Sequence, residues 1–228
     1  SALARRLASR GARLALSSRR ADAVRALAGE LDAEALPGDI SQPDHADALV
    51  AHAAAKFGRL DGAVNCAGSL LLKPAHVTTP GEWASTIEAN LTTAFYLLRA
   101  AARAMMNSGG SIVLVSSAAA RTGLANHEAI AAAKAGVIGL ALSAAATYAP
   151  RGIRVNAVAP GLVATPLTAR ITSNEESLKA SARMHALGRP GAPEEIASAI
   201  EWLLDPEQSW VTGQVLGVDG GLGSVRAR

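Results

Sequence analysis

The chain has 228 residues, of which half are hydrophobic, 18% charged and 3% aromatic; this excludes a disordered chain and gives one large domain enough apolar material for a full core. A net charge of +3 is too small to argue for nucleic-acid binding. Cys66 is the sole cysteine, which excludes an internal disulfide and fits a reducing, cytoplasmic compartment.

The first twenty residues carry six arginines, several serines and no acid, a composition shared with mitochondrial transit peptides. An amphipathic helix through Leu3 and Leu7, turning at Gly11 into a strand at Leu14–Leu16, accounts for more of these residues. Short apolar runs then recur at 12–17, 33–37, 62–66, 111–116, 153–158 and 214–218, each read as a buried parallel strand. Helical patterns lie between them at about 20–30, 43–57, 80–106, 127–149 and 193–204, two of them opened by Pro80 and Pro193. Strand and helix alternate with no linker or repeat. This predicts one α/β domain over 1–228, a doubly wound parallel sheet with helices on both faces. No stretch reaches the ~18 uncharged apolar residues of a membrane span. The nearest, 135–149, is bracketed by Lys134 and Arg151 and reads as a buried helix at a subunit interface, so a homodimer or homotetramer is expected. No membrane and no metal are expected.

Particular residues follow the strands in a telling order. Asn65-Cys66-Ala67-Gly68 ends one strand, and its small residues let the backbone come close to a ligand. Asn90 sits inside a long helical pattern. Ser116-Ser117 end another strand. Ile130-Ala131-Ala132-Ala133-Lys134 lies on the next helix, and Pro160-Gly161 follows the strand after that.

Taken together, these stretches resemble the short-chain dehydrogenase/reductase family and span most of the chain. The resemblance implies a single-domain Rossmann-type fold and hydride transfer between NADP(H), or NAD, and a small carbonyl or alcohol substrate. By position it makes Ser117 the group that bonds the substrate oxygen, Lys134 the binder of the nicotinamide ribose, and Asn90 the holder of a water in a proton relay. Asn65, Ala67, Gly68, Pro160, Gly161, Val163 and Thr165 would line the nucleotide, and Asp39 and Ile40 would flank the adenine. At the end of the second family strand Ser18 stands where an acid would favour NAD, and Arg19 beside it can pair with a 2′-phosphate, so NADP is favoured. The segment 164–188 is the expected substrate lid.

Two departures stand out. The family's first strand and glycine-rich turn are not within 1–228, which predicts a gap in the sheet. The catalytic tyrosine expected thirteen residues after Ser117 is Ile130, which has no proton to give. His127 is one helical turn before Ile130 and can act as acid or base; Lys134, if desolvated, or an ordered water are the alternatives. Two readings stay open: an oxidoreductase with altered proton transfer, or an inactive nucleotide-binding or scaffold protein.

Overall fold

In the computed structural model, which describes residues 1–225, every paired strand runs parallel to its neighbour. Residues 226–228, counted in the single-domain reading, lie outside the described residues. The main sheet has the order β3 (Gly62–Asn65), β4 (Gly110–Val115), β5 (Ile153–Pro160), β6 (Val215–Val218). Ala63 pairs with Ile112, Val113 with Asn156, and Val158 with Leu216. Alternate side chains of these strands serve opposite faces. One face packs Ala63, Ile112, Leu114, Val155 and Ala157 against α3 (Pro43–Phe57), α5 (Thr93–Met105) and α6 (Glu128–Tyr148). The other packs Val64, Val113, Val158 and Leu216 against α9 (Pro193–Leu204) and Leu3 of α1 (Ala2–Ser9). Both faces are therefore covered, which is why the strands read as near-continuous apolar runs rather than alternating ones.

A second, two-stranded sheet pairs β1 (Ala15–Leu16) with β2 (Glu34–Ala35), joined by α2 (Ala21–Leu31). These strands are shorter than the 12–17 and 33–37 expected from sequence. The apolar runs are there, but a strand extends only as far as its neighbour pairs with it, and β1 pairs on one side only. Between Leu14–Leu16 and the β3 residues Gly62–Asn65 runs a cavity of about 1,920 Å³, bordered also by α1, α2 and α9.

The pattern at 80–106 is interrupted: α4 (Pro80–Ile87) passes through a π-helical turn, Glu88–Thr92, into α5. Thr79 and Glu82 close a capping box at the start of α4. Asn90 lies in this turn, where its side-chain Nδ2 donates to the Thr86 carbonyl at 2.9 Å and competes with the helix ladder, while Ser69 holds the same side chain from outside the helix. The segment 164–188, expected as a substrate lid, is partly helical. It contains the short α7 (Ala169–Thr172) and α8 (Glu175–Met184).

Helix α6 with its extension to Arg151 is long and apolar enough to cross a membrane by composition. Burial supplies the reason for that composition: Ile130, Ala133, Val137, Ala141 and Ala144 are all packed inside, on a helix laid against β4 and β5.

Candidate active site

The carboxyl ends of parallel strands are where an open α/β sheet can receive a ligand, because the loops that leave them diverge. Part of the expected site falls at one such opening: Ser18, Arg19, Asp39, Ile40, Asn65, Ala67 and Gly68 border the large cavity, whereas Asn90, Ser117, His127, Lys134, Pro160, Gly161, Val163 and Thr165 do not line it. Ligand pockets usually measure about 300–1,000 Å³, so the slot between the sheets is larger than a single small-molecule site needs.

At the outer end Ser18 is half-buried and its hydroxyl accepts the Arg20 N–H at 3.2 Å, while Arg19 is exposed. Asp39 accepts the Ser41 N–H at 3.0 Å. That bond, with the nearby Arg19 guanidinium assisting, holds the Asp39 carboxyl below the usual carboxylate range. Ile40 packs against the edge of the core beside it.

The inner end is a tight polar cluster. Asn65 is buried; it donates to Thr93 Oγ1 at 3.1 Å and accepts the Ala67 N–H at 2.8 Å, which sets the turn leaving β3. Asn90 accepts the Ser69 N–H at 3.1 Å, and its amide hydrogens go to the Thr86 carbonyl and, at 3.0 Å, to Ser69 Oγ. Both hydrogens are thus committed within the protein, while Oδ1 keeps a second lone pair that can accept. Gly68 lies directly over this cluster. A Cβ there would sit 2.8 Å from Asn90 Oδ1 and 3.6 Å from Lys134 Nζ, so only glycine lets the backbone pass.

Lys134 is 7% exposed, and its Nζ donates to the Val115 carbonyl at 2.8 Å. Ser116 Oγ donates to the Lys134 carbonyl at 2.8 Å, so the end of β4 and the first turns of α6 are clamped together. Burial strips water from the ammonium and pushes Lys134 down to about 8. Cys66 presents surface to the cavity, but the protein walls around it desolvate the thiol and push it up.

Ser117 follows β4 and accepts the Ala119 N–H at 3.2 Å. One turn before Lys134, Ile130 is buried at 4% exposure, in the first turn of α6. His127 is half-buried just ahead of α6, and its Nδ1 meets the Ala125 carbonyl at 2.7 Å. Among the described residues no hydrogen bond joins His127 to Ser117 or Lys134. Beside β4, the Ser116 N–H donates to the Val158 carbonyl at 2.7 Å, which brings the Pro160–Val163 loop alongside the serine. Val163 bridges to Gly191, and Thr165 opens the following turn with its N–H on Thr168 Oγ1 at 3.1 Å.

A family model described as enoyl-(acyl carrier protein) reductase matches residues 1–223. A short-chain type dehydrogenase/reductase from Mycobacterium ulcerans superposes with a TM-score of 0.94 at 33% identity, covering 99% of this chain and 86% of that one. The chain belongs to the short-chain dehydrogenase/reductase family. Members of this family are NAD(P)-dependent oxidoreductases. One such relative is the cis-4-hydroxycyclohexanecarboxylate dehydrogenase of Sinomonas cyclohexanicum, 43% identical over 82% of this chain and 75% of its own length. Another is the 3-oxoacyl-acyl-carrier-protein reductase of Vibrio cholerae, 38% identical over 81% of this chain and 75% of its own length.

Two contributors to this short-chain dehydrogenase site were not visible in the sequence. Ser69 uses both its N–H and its hydroxyl to hold Asn90. His185, in the lid, is 2% exposed and bonded to the Pro160–Val163 loop. Neither belongs to a motif, and the contacts span 21 and 23 residues, so no local pattern marks them.

Proposed function

We propose that this protein is an NADP(H)-dependent short-chain oxidoreductase acting on a small carbonyl or alcohol substrate, with Lys134 as the proton donor that replaces the tyrosine. One observation carries the reading: a nearly buried lysine, depressed to about 8, lies behind Gly68, which borders a cavity that Ser18, Arg19 and Asp39 also line.

The residues present fit a nicotinamide dinucleotide. Gly68 lets the backbone at the cavity wall run close over Asn90 and Lys134, where a Cβ would meet Asn90 Oδ1 at 2.8 Å, and Arg19 offers an exposed cation at the outer end. Asp39 and Ile40 would flank the adenine, with Ser18 and Arg19 taking the ribose 2′ group. Asn65, Ala67 and Gly68 would line the middle, and Lys134, Pro160, Gly161, Val163 and Thr165 would meet the nicotinamide end. When bound, the dinucleotide supplies a hydride to the carbonyl carbon. Ser117 orients the carbonyl oxygen with its hydroxyl, and the Lys134 ammonium gives a proton to that oxygen and is left as a neutral amine. Nζ has two hydrogens beyond the one committed to Val115, so the donor and the positioning bond coexist. Lys134 is favoured over His127 because it is buried and sits beside Gly68 and Asn90, whereas His127 is half-exposed with only a local contact. Asn90 acts by holding the π-helical turn and Ser69 in place.

The second reading, a nucleotide-binding scaffold without turnover, is supported by Ile130 alone. Its apolar side chain is buried, at the position where the resemblance implies an acid.

We place the protein in the cytoplasm as a single-domain homodimer or homotetramer. Exposed Phe95 and Leu142 on α5 and α6, at 46% and 48%, support a second copy as the partner of these helices. The test is NADPH oxidation against 4-oxocyclohexanecarboxylate and short 3-oxoacyl thioesters, the substrate classes named for its relatives. NADPH binding with turnover lost in Lys134→Arg supports the oxidoreductase; binding without turnover on any carbonyl favours the scaffold.

A further inference from the structure

We infer that His185 is a positioning residue: its imidazole links lid helix α8 to the Pro160–Val163 loop, so that the lid sets the loop at the nicotinamide end of the site. The functional part of this inference rests on the nucleotide-binding reading above; the link itself rests on geometry.

His185 directly follows α8 and is 2% exposed. Its Nδ1 lies 2.7 Å from the Ser181 carbonyl, and its Nε2 lies 3.1 Å from the Leu162 amide nitrogen. A carbonyl can only accept and an amide N–H can only donate. Nδ1 must therefore carry the hydrogen and Nε2 must be bare, which fixes one neutral tautomer by elimination. Gly161 makes the approach possible, because a Cβ there would sit 2.6 Å from Nε2. The loop is held from its other side as well. The Leu162 carbonyl accepts the Gly191 N–H at 2.8 Å, and the Ala164 N–H donates to the Gly191 carbonyl at 3.0 Å. Just beyond His185 the Leu187 N–H donates to the Gly220 carbonyl at 3.0 Å, tying the lid to the turn after β6.

Charged side chains on the surrounding elements are engaged elsewhere or exposed, so the link is made by the neutral imidazole alone. Asp219, whose Cα lies beside Gly161, has its carboxylate held by the Gly221 and Gly223 N–H groups. On α8, Lys179 pairs with Glu175, and Glu176 and Arg183 are exposed; on the segment after it Arg189 pairs with Glu195; the Pro160–Val163 loop carries no titratable side chain.

The test is hydrogen exchange of the segment around Leu162 in the free protein, corrected for intrinsic rates. In His185→Ala and in Gly161→Ala we expect exchange there to rise about tenfold. His185→Gln, whose side-chain carbonyl can accept the same N–H, should stay protected. Equal protection in His185→Ala and wild type, or the same loss in His185→Gln as in His185→Ala, overturns the link. Should His185→Ala fail to fold, Gly161→Ala against wild type decides, and equal protection there overturns the link. A parallel NADPH titration separates the two claims. Affinity about fivefold weaker in His185→Ala and retained in His185→Gln supports the positioning role, and unchanged affinity in His185→Ala overturns it. If wild type binds no NADPH at all, the oxidoreductase reading and with it the positioning role fall, and exchange alone still settles the link.

Discussion

Replacing Lys134 by Met tests the electrostatics of the site directly. The ammonium falls from the ordinary 10.5 to about 8 because burial removes its water, with the neighbouring Cys66 acting weakly in the opposite sense. The unfolded chain therefore holds the proton more tightly than the folded one, and between about pH 8 and pH 10.5 folding becomes more favourable as pH rises. At about 1.4 kcal/mol per pH unit, the full swing is about 3 kcal/mol. Below pH 8 this is a standing cost of keeping the charge inside. Met fills similar volume, does not titrate, and gives up the bond to the Val115 carbonyl, which offsets about 1.5–3 kcal/mol. Lys134→Met should therefore be slightly more stable than wild type at pH 7, by about 1 kcal/mol, and less stable at pH 10.5. The assay is urea unfolding followed by circular dichroism at several pH values, in a Cys66→Ala background so that the thiol contributes no titration. Other groups ionise in this range, but they do so in both proteins and cancel in the difference. Stability curves that run parallel from pH 7 to pH 10.5 would refute the claim that Lys134 is charged and desolvated.

If Lys134 gives the proton, carbonyl reduction requires its charged form and falls as pH rises through about 8, as read from kcat/KM against pH; activity lost in His127→Ala but kept in Lys134→Arg would transfer the role to His127. Ile130→Tyr places a phenol one turn before Lys134 and should raise turnover by about 10²-fold, measured as NADPH oxidation; no gain would mean that the buried pocket cannot present the hydroxyl to substrate. Arg19→Asp should invert the preference for NADPH over NADH in fluorescence titrations, and equal affinities unaffected by the change would leave Arg19 as plain surface charge. Sedimentation at micromolar concentration should show a dimer or tetramer that Leu142→Asp dissociates; a wild-type monomer would contradict the proposed helix interface.

How much of this was legible beforehand depends on the range of the interactions involved. The runs at 62–66, 111–116 and 153–158 appear as β3, β4 and β5 because strands buried on both faces must be apolar throughout, and that demand is written locally. The order of Asn65, Asn90, Ser117, Lys134 and Pro160 along the chain is local too, and it sufficed to place the chain in its family. That Ile130 stands thirteen residues after Ser117 needs no coordinates either. Tertiary structure decided the rest. The extents of β1 and β2 depend on which strands lie beside them. The π-helical turn depends on Asn90 finding Ser69 as well as its own helix. The depressed Lys134 depends on what packs over it, and the His185 link on a contact 23 residues away in the chain. Periodicity reports which face of an element is buried, because burial recurs every turn or every second residue. It carries no record of which polar atom meets which across the fold, and the chemistry proposed for this site is made of those meetings.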